Sequence, residues 1–541
     1  MPITPGVVGD AITAGHGTYD VLVVGAGPGG LATALSAARH GARVLVVDRR
    51  PGTSGLPRAT GINVRTVEIL RTWGVAPAVR ARRILVLPEA ASAATLAASP
   101  RSSGRAGGYP SPREILDVSP VLPLACPQDL LEPILVDAVR RAGGEVRFAT
   151  PLVDLRVRPD GVSAELHGHE LHGHELHGHE LHGHELRSSV RVHARFVVGA
   201  DGTRSAVRAA LGIATTNLGT WAHAVQVLFR PAAALPQPHR LLTFVDEPSS
   251  AALCPMGEGR WAYVGLRFDG SPPAVPADWT PTLRAATGFP DLDPEILDVQ
   301  PFTLAAEVAT TYRAGPGFLV GDAAHRTTPV GGIGLNTAIH DGHELGWKLA
   351  WAARGLAGDA LLTSHDAERG PVGLAAAARS LDVEGRPTDG LPSSLGHTHR
   401  STVIAGPDPA PDLRIDLAAR PGERAPHAWV RHAGRHRSTL DLFDGGLTLL
   451  TGADGRPWAR AAAAVRGVPL RVLVEGRDVH GAALAPRYGF GPGSAVLVRP
   501  DGRVAWRHDG ACVDRAGALT GAVATALGTA PAPARRSRTA A

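Results

Sequence analysis

Six residues near the start of the chain leave few choices for the fold built around them. Tyr19-Asp20-Val21-Leu22-Val23-Val24, apolar apart from Asp20, is a run of the kind that forms a strand buried on both faces. It passes directly into Gly25-Ala26-Gly27-Pro28-Gly29-Gly30 and then into an alanine-rich helical stretch from Leu31 to His40. Gly41 ends that helix, and Val44 to Val47 forms a second apolar strand that closes on Asp48 and Arg49. In this strand–turn–helix–strand setting each glycine has its own task. Gly25 makes the tight turn, Gly27 lets a pyrophosphate approach the backbone, and Gly30 permits close packing of the helix. Pro28 and Gly29 open the helix, whose N-terminus attracts phosphate. Asp48, about twenty residues on, is placed to accept ribose hydroxyls. The expectation is a parallel α/β domain that binds a dinucleotide.

Far downstream, Phe318 to Val320 is a short apolar run ending in Gly321-Asp322, followed by a glycine-rich turn through Gly331, Gly332 and Gly334. A long helical pattern begins near Asn336. A carboxylate at a strand tip can accept hydrogen bonds from a polyol, while free N–H groups at the helix start favour negative charge. A ligand with hydroxyls beside a ring that becomes anionic suits both, and reduced flavin is such a ligand. Between these two motifs, Phe196 to Gly199 leads into Asp201-Gly202, with Arg204 and Arg208 following.

Taken in this order, the set resembles the class A flavoprotein monooxygenases, the family of para-hydroxybenzoate hydroxylase. Gly25 to Gly30 matches the family's dinucleotide motif, Asp201-Gly202 to Arg208 its DG motif, and Gly321-Asp322 its GD motif. Pro57-Arg58-Ala59 and Gln128 fall where the family has a flavin-contacting Arg and Gln. The match runs from about Tyr19 to about Val372. The resemblance implies bound FAD, with Asp201 in the cofactor site and Asp322 on the ribityl chain. It puts Arg58 and Gln128 on the phosphates and ribityl, and the turn at Gly332 with the N–H groups of Gly334, Leu335 and Asn336 at the flavin N1–C2=O edge. Pro329 sits where the family places a proline carbonyl near the reacting oxygen; no general base is assigned.

The chemistry implied is reduction of FAD by NAD(P)H, reaction with O2 to a flavin C4a-hydroperoxide, and oxygen transfer to a polycyclic phenolic or quinone substrate, expected to be a polyketide. Baeyer–Villiger insertion, ring cleavage and antibiotic inactivation stay open, as does a catalytically silent flavin-binding protein. His325 reads as a structural hydrogen-bonder and His343 as packing. Ile333 stands where many members are polar, and Glu344 where many carry Asn, which leaves the details of the pocket open.

Composition narrows the setting. The 541 residues are 44% hydrophobic, enough for two or three domains with their own cores. No apolar stretch is long enough to span a bilayer, and residues 1–18 lack the pattern of a signal peptide. Three scattered cysteines, Cys126, Cys254 and Cys512, argue against a disulfide framework or zinc and suit the cytoplasm. Lys348 is the only lysine, the net charge is +5, and no basic stripe is interleaved with aromatics, so neither nucleic acid nor membrane is an expected partner. A monomer or homodimer is expected.

The expected fold is a Rossmann-type FAD-binding domain at 19–385 carrying an inserted antiparallel-sheet substrate domain (about 81–117 and 216–300). A linker at 386–426 leads to a C-terminal thioredoxin-like α/β domain at 427–528. That domain has no Cys-x-x-Cys, which excludes dithiol chemistry. Residues 1–18 and 529–541 are expected to be flexible ends. Trp221, His223, Trp261 and Tyr263 alternate on their strands and either line an aromatic pocket or simply pack the sheet. Residues 167–186 repeat His-Gly-His-Glu-Leu four times. A five-residue period suits neither strand nor helix, so the repeat is expected to be an expanded loop, with no metal site assigned.

Overall fold

The computed structural model describes residues 17–105, 110–168, 188–235, 239–246, 250–381, 390–406, 415 and 418–530. The lead-in before residue 17, most of the His-Gly-His-Glu-Leu repeat, much of the linker and the tail beyond 530 lie outside the described residues.

The first sheet is organised by the glycine motif. Thr18–Val24 lies at its centre, paired in parallel with Val44–Val47 on one side and Ser188–Gly199 on the other. Glu145–Arg147 and Gly317–Leu319 extend the parallel pairing outward. All three sequence motifs therefore leave the same end of the sheet, where ligands bind in open α/β folds. The apolar runs seen in sequence are buried on both sides, by separate clusters on the two faces.

Two helices cross the sheet face directly behind the motifs, Pro28–Arg39 and Gly334–Ala353. Their approach depends on absent side chains. An added Cβ at Gly342 would lie 2.5 Å from the carbonyl oxygen of Gly29, and one at Gly346 2.5 Å from that of Thr33. The glycine turn and the helix starting at Gly334 are thus locked together by backbone contact, well inside normal packing distance.

The second sheet has eight strands. Its spine is the long antiparallel pair Thr215–Pro231 and Pro294–Ala309, flanked by Trp261–Arg267, Ala251–Pro255 and Arg240–Val245. Leu87–Ala93 and Ser102–Arg105 continue it on one side. The last spine strand runs on to Ala309 without interruption at 300, because its end pairs with His325–Arg326 just after the GD turn. The helix Thr280–Thr287 covers one face, where Trp261 and Tyr263 pack with Val225, Val227 and Trp279. For these two aromatics, plain packing holds.

A four-stranded sheet near the C-terminus pairs Leu447–Thr451 in parallel with Leu470–Val474 and antiparallel with Ala495–Val498, which in turn pairs with Val504–His508. This is the expected thioredoxin-like α/β arrangement. Its core is not sealed off: Leu447, Trp458 and Leu497 share one buried cluster with Trp347, Leu349 and Leu361 of the larger unit.

Candidate active site

The dinucleotide turn is built for a ligand that supplies acceptors. The N–H groups of Gly27, Gly29 and Gly30 have no acceptor among the described residues, because the first backbone bond of the helix is Leu31 N–H to Gly27 O at 2.9 Å. Gly25 has φ +109, and a Cβ there would meet the Ala200 carbonyl oxygen at 2.2 Å. The DG segment therefore backs the turn through its main chain. The Asp201 carboxylate is turned inward, accepting from Ser205 Oγ and from the N–H groups of Ala206 at 2.7 Å and Val207 at 3.2 Å. It caps the short helix Ala206–Ala210.

Asp48 stands beside the turn. Its Oδ2 accepts from Ala26 N–H at 2.8 Å, and Arg50 donates to both oxygens through its side chain and to Oδ1 through its backbone. Burial pushes the Asp48 carboxyl up, but the bonds from Arg50 and Ala26 outweigh it and hold the group below the ordinary range. All four acceptor positions are in use, so a ribose would share this carboxylate with the Arg50 guanidinium. The neighbouring Arg49 side chain is exposed. Arg50 and the fully buried Glu132, which accepts from Ser54 N–H at 2.6 Å, are members of this end of the site that sequence reasoning missed. A glutamate facing the apolar side of a helix was the available signal.

At the GD turn, Asp322 is open to solvent and its carboxylate has no hydrogen-bond partner among the described residues. The protein atoms that ring it raise its carboxyl, against the pull of His325, Arg326 and Arg58. Arg58 is exposed on the facing loop and holds its place through Arg58 N–H to Leu56 O. Two unpaired groups of opposite charge thus flank one groove. Gln128 N–H binds Ala59 O at 2.8 Å, which ties the Arg58 loop to the helix Gln128–Arg141, while the Gln128 side chain donates to Glu132 at 2.7 Å.

The helix Gly334–Ala353 begins at the groove with no side-chain cap, since Ile333 in the N-cap position cannot accept. The N–H groups of Gly334, Leu335 and Asn336 have no acceptor among the described residues, the first bond being Thr337 N–H to Ile333 O. Asn336 has a second task. Its Oδ1 accepts from Asn63 N–H at 2.9 Å and Thr66 Oγ1 at 2.7 Å, and its Nδ2 donates to Gly61 O and Gly332 O. Gly332 itself has φ +62 and donates to Pro329 O at 3.1 Å, so that carbonyl keeps only one free lone pair for anything in the groove.

Beneath the turn lies Asp341, a buried carboxylate that accepts from Gly321 N–H at 3.0 Å and lies 2.6 Å from His325 Nε2. Burial pushes its carboxyl up, but Arg369 and His325 outweigh that and hold it far below the ordinary range. His325 hydrogen-bonds to Asp341 in the core, and the His343 ring lies tilted against Trp73, with centroids 5.6 Å apart.

The face of the eight-stranded sheet turned away from the helix Thr280–Thr287 carries two small apolar clusters. Leu228, Met256 and Ala262 pack against Leu56 of the Arg58 loop, and Arg326 reaches Glu307 and Thr303 O at the other end. Between these anchors lie Ala222, Ala224, Val264, Leu266 and Phe302, small or flat apolar side chains. Gln226 and Gln300 form a directly opposed cross-strand pair among them, half-buried and without hydrogen-bond partners among the described residues.

The donor set fits FAD. One end offers free N–H groups for a pyrophosphate, the middle an unpaired carboxylate for a polyol, and the far end free N–H groups at a helix N-terminus for an anionic ring edge.

The family profile for FAD-binding domains matches residues 18–380, and that for the C-terminal region of aromatic-ring hydroxylases matches 418–530. Aklavinone 12-hydroxylase of Streptomyces purpurascens is 36% identical over 544 residues, 94% of this chain and 98% of that protein. Tetracenomycin B2 monooxygenase-dioxygenase of Streptomyces olivaceus is 36% identical over 559 residues, covering 94% and 98%. Among solved structures, the ternary complex of aklavinone-11 hydroxylase with FAD and aklavinone superposes with a TM-score of 0.83 at 35% identity, covering 94% of this chain and 99% of that one.

Proposed function

The chain belongs to the FAD-dependent aromatic-ring hydroxylases, and from that premise we propose that it oxygenates a flat polycyclic phenol or quinone of polyketide type. When bound and reduced by NAD(P)H, FAD supplies an activated oxygen atom derived from O2. The chain's own residues do the rest. Gly27, Gly29 and Gly30 would hold the pyrophosphate through their N–H groups, with the exposed Arg58 as a counter-charge. Asp322 would accept from the ribityl hydroxyls. Gly334, Leu335 and Asn336 present N–H groups and the positive helix end to the ring edge, where negative charge must be held.

The observation that carries the substrate class is the make-up of the sheet face turned away from the helix Thr280–Thr287. Its alanines leave room for a planar ring system, Val264, Leu266 and Phe302 exclude water, and Gln226 with Gln300 offers amide donors and acceptors for ring oxygens. The relatives named above act on aklavinone and tetracenomycins, and the same apolar face with few polar groups suits a multi-ring substrate here. A cytoplasmic enzyme drawing on NAD(P)H fits its three free cysteines. No helix among the described residues is long and apolar enough to cross a membrane.

The test is turnover of the FAD-loaded protein with NADH or NADPH under isotopically labelled O2 against a panel of naphthoquinones, anthraquinones and single-ring phenols. The expected result is one labelled oxygen atom per product molecule from a multi-ring member. Turnover confined to single-ring phenols would overturn the substrate class, and no oxygen transfer to any member would overturn the hydroxylase reading of this chain.

A further inference from the structure

The C-terminal unit reaches into the larger one with a single tight turn, Arg499 to Arg503, and every charged side chain on that turn is buried. Arg499 grips Glu368 in a two-bond fork, Nη1 to Oε1 at 2.7 Å and Nη2 to Oε2 at 2.8 Å. Asp501 accepts from Trp347 Nε1 at 3.0 Å and pairs with Arg499. Arg503 Nη2 donates to Glu344 Oε1 at 3.3 Å.

Glu344 is also 3.6 Å from Arg369, the residue whose guanidinium binds Asp341 at 2.7 Å. Asp341 in turn holds Gly321 N–H and His325. A continuous charged path therefore runs from the C-terminal turn to the GD motif, entirely through side chains under 10% exposed.

Charge balance shows why both ends matter. Along this path the larger unit supplies three buried carboxylates, Asp341, Glu344 and Glu368, against two lysine or arginine cations, Lys348 and Arg369. His399 Nδ1 lies 3.3 Å from Glu344 and 3.4 Å from Glu368, but burial pushes that imidazole down to about 4, so it adds no charge at neutral pH. The turn adds Arg499 and Arg503 against Asp501, which makes four of each. Removing one partner of a buried pair leaves the other uncompensated, and that costs several kcal/mol. Without Arg503, the Glu344 carboxylate would draw Arg369 away from Asp341.

We propose that Arg499 and Arg503 are positioning residues of the flavin site: the C-terminal turn completes the charge of the buried path and thereby fixes Asp341, the Gly321 turn and the helix start at Gly334. This rests on the reading that the Gly321–Asn336 segment holds FAD.

Because linkage is reciprocal, FAD binding must then stabilise the distant turn. Hydrogen–deuterium exchange of the unmodified chain, FAD-loaded against FAD-stripped, tests this without any variant. Slower exchange in 495–508 as well as in 321–336 is expected. Protection of 321–336 with none in 495–508 overturns the proposal and leaves the flavin reading standing, whereas no protection of 321–336 overturns that reading itself. In variants, Arg503→Gln is expected to weaken FAD binding about tenfold or more and to shift the flavin absorption bands. The pair Glu344→Gln with Arg503→Gln, which removes one charge of each sign, is expected to recover most of that loss. A lower melting temperature with an unchanged FAD dissociation constant would show a structural role only and overturn the proposal.

Discussion

Gly27→Ala separates ligand recognition from folding at one atom. The residue has φ −79 and ψ −179, which alanine adopts without strain, and an added Cβ would meet nothing within 4 Å in the protein. The apoprotein should therefore fold as before, with a gain of about 0.4–1 kcal/mol from the restricted unfolded chain. In a chain of this length that is a melting shift of about 1 °C or less. The same Cβ projects into the space where the pyrophosphate meets the free N–H groups of Gly27, Gly29 and Gly30. Crowding of this kind costs about 1–3 kcal/mol, a five- to 150-fold rise in the FAD dissociation constant. Gly30→Ala is the contrast. Its Cβ would lie 2.0 Å from the Gly25 carbonyl oxygen, so here the apoprotein itself must lose stability. Quenching of flavin fluorescence on titration into apoprotein reads affinity, and calorimetric melting of the same samples reads stability. Unchanged FAD affinity in Gly27→Ala, with an unchanged melt, would refute the placement of the pyrophosphate at this turn.

Asp322→Asn removes a carboxylate that no described residue uses, so the apoprotein melt should hold while the FAD dissociation constant rises about ten- to 150-fold, the worth of a charged hydrogen bond of about 1.5–3 kcal/mol. A loss of apoprotein stability instead would mean that the carboxylate serves the fold. Gln226→Leu should raise the KM for a multi-ring substrate several-fold and spread the position of oxygenation, with FAD affinity untouched; unchanged product distribution and KM would remove Gln226 from the substrate face. Stability should fall as pH drops below 6.5. Burial lowers His343 to about 3, and His365 and His399 to about 4, so the unfolded chain takes up protons that the folded chain refuses. That stability is complete above pH 6.5 and is lost progressively towards pH 4, by up to about 3 kcal/mol per histidine. A melting temperature that stayed flat or rose between pH 7 and pH 5 would contradict it.

The parts of the site legible in the primary structure are those where backbone does the work. Gly25 to Gly30 and Gly321 to Gly334 announce themselves because free N–H groups, positive φ and close approach demand particular residues in particular order. Arg58 and Asp322 followed by matching motifs. What side chains do across the fold was not legible in the same way. Asp201 stands in a cofactor motif, and its oxygens also accept from Ser205 and from two N–H groups at the start of the next helix, a capping task the motif does not announce. Trp261 and Tyr263 had the right alternation for a pocket, but alternation names two faces without saying which one a helix will cover.

By sequence alone, then, the chain is committed to a dinucleotide-binding α/β sheet, to an anion-favouring helix start beside a carboxylate, and to a second sheet of alternating strands. Local sterics and the period of hydrophobicity are short-range and can be read residue by residue. Only the tertiary structure decided that Gln226 and Gln300 stand opposite each other across two strands, that Asp341 supports the turn carrying Asp322, and that Arg499 and Arg503 answer buried carboxylates more than 130 residues away. Buried charge is compensated by whatever the fold brings near, and proximity across such separations is a property of packing.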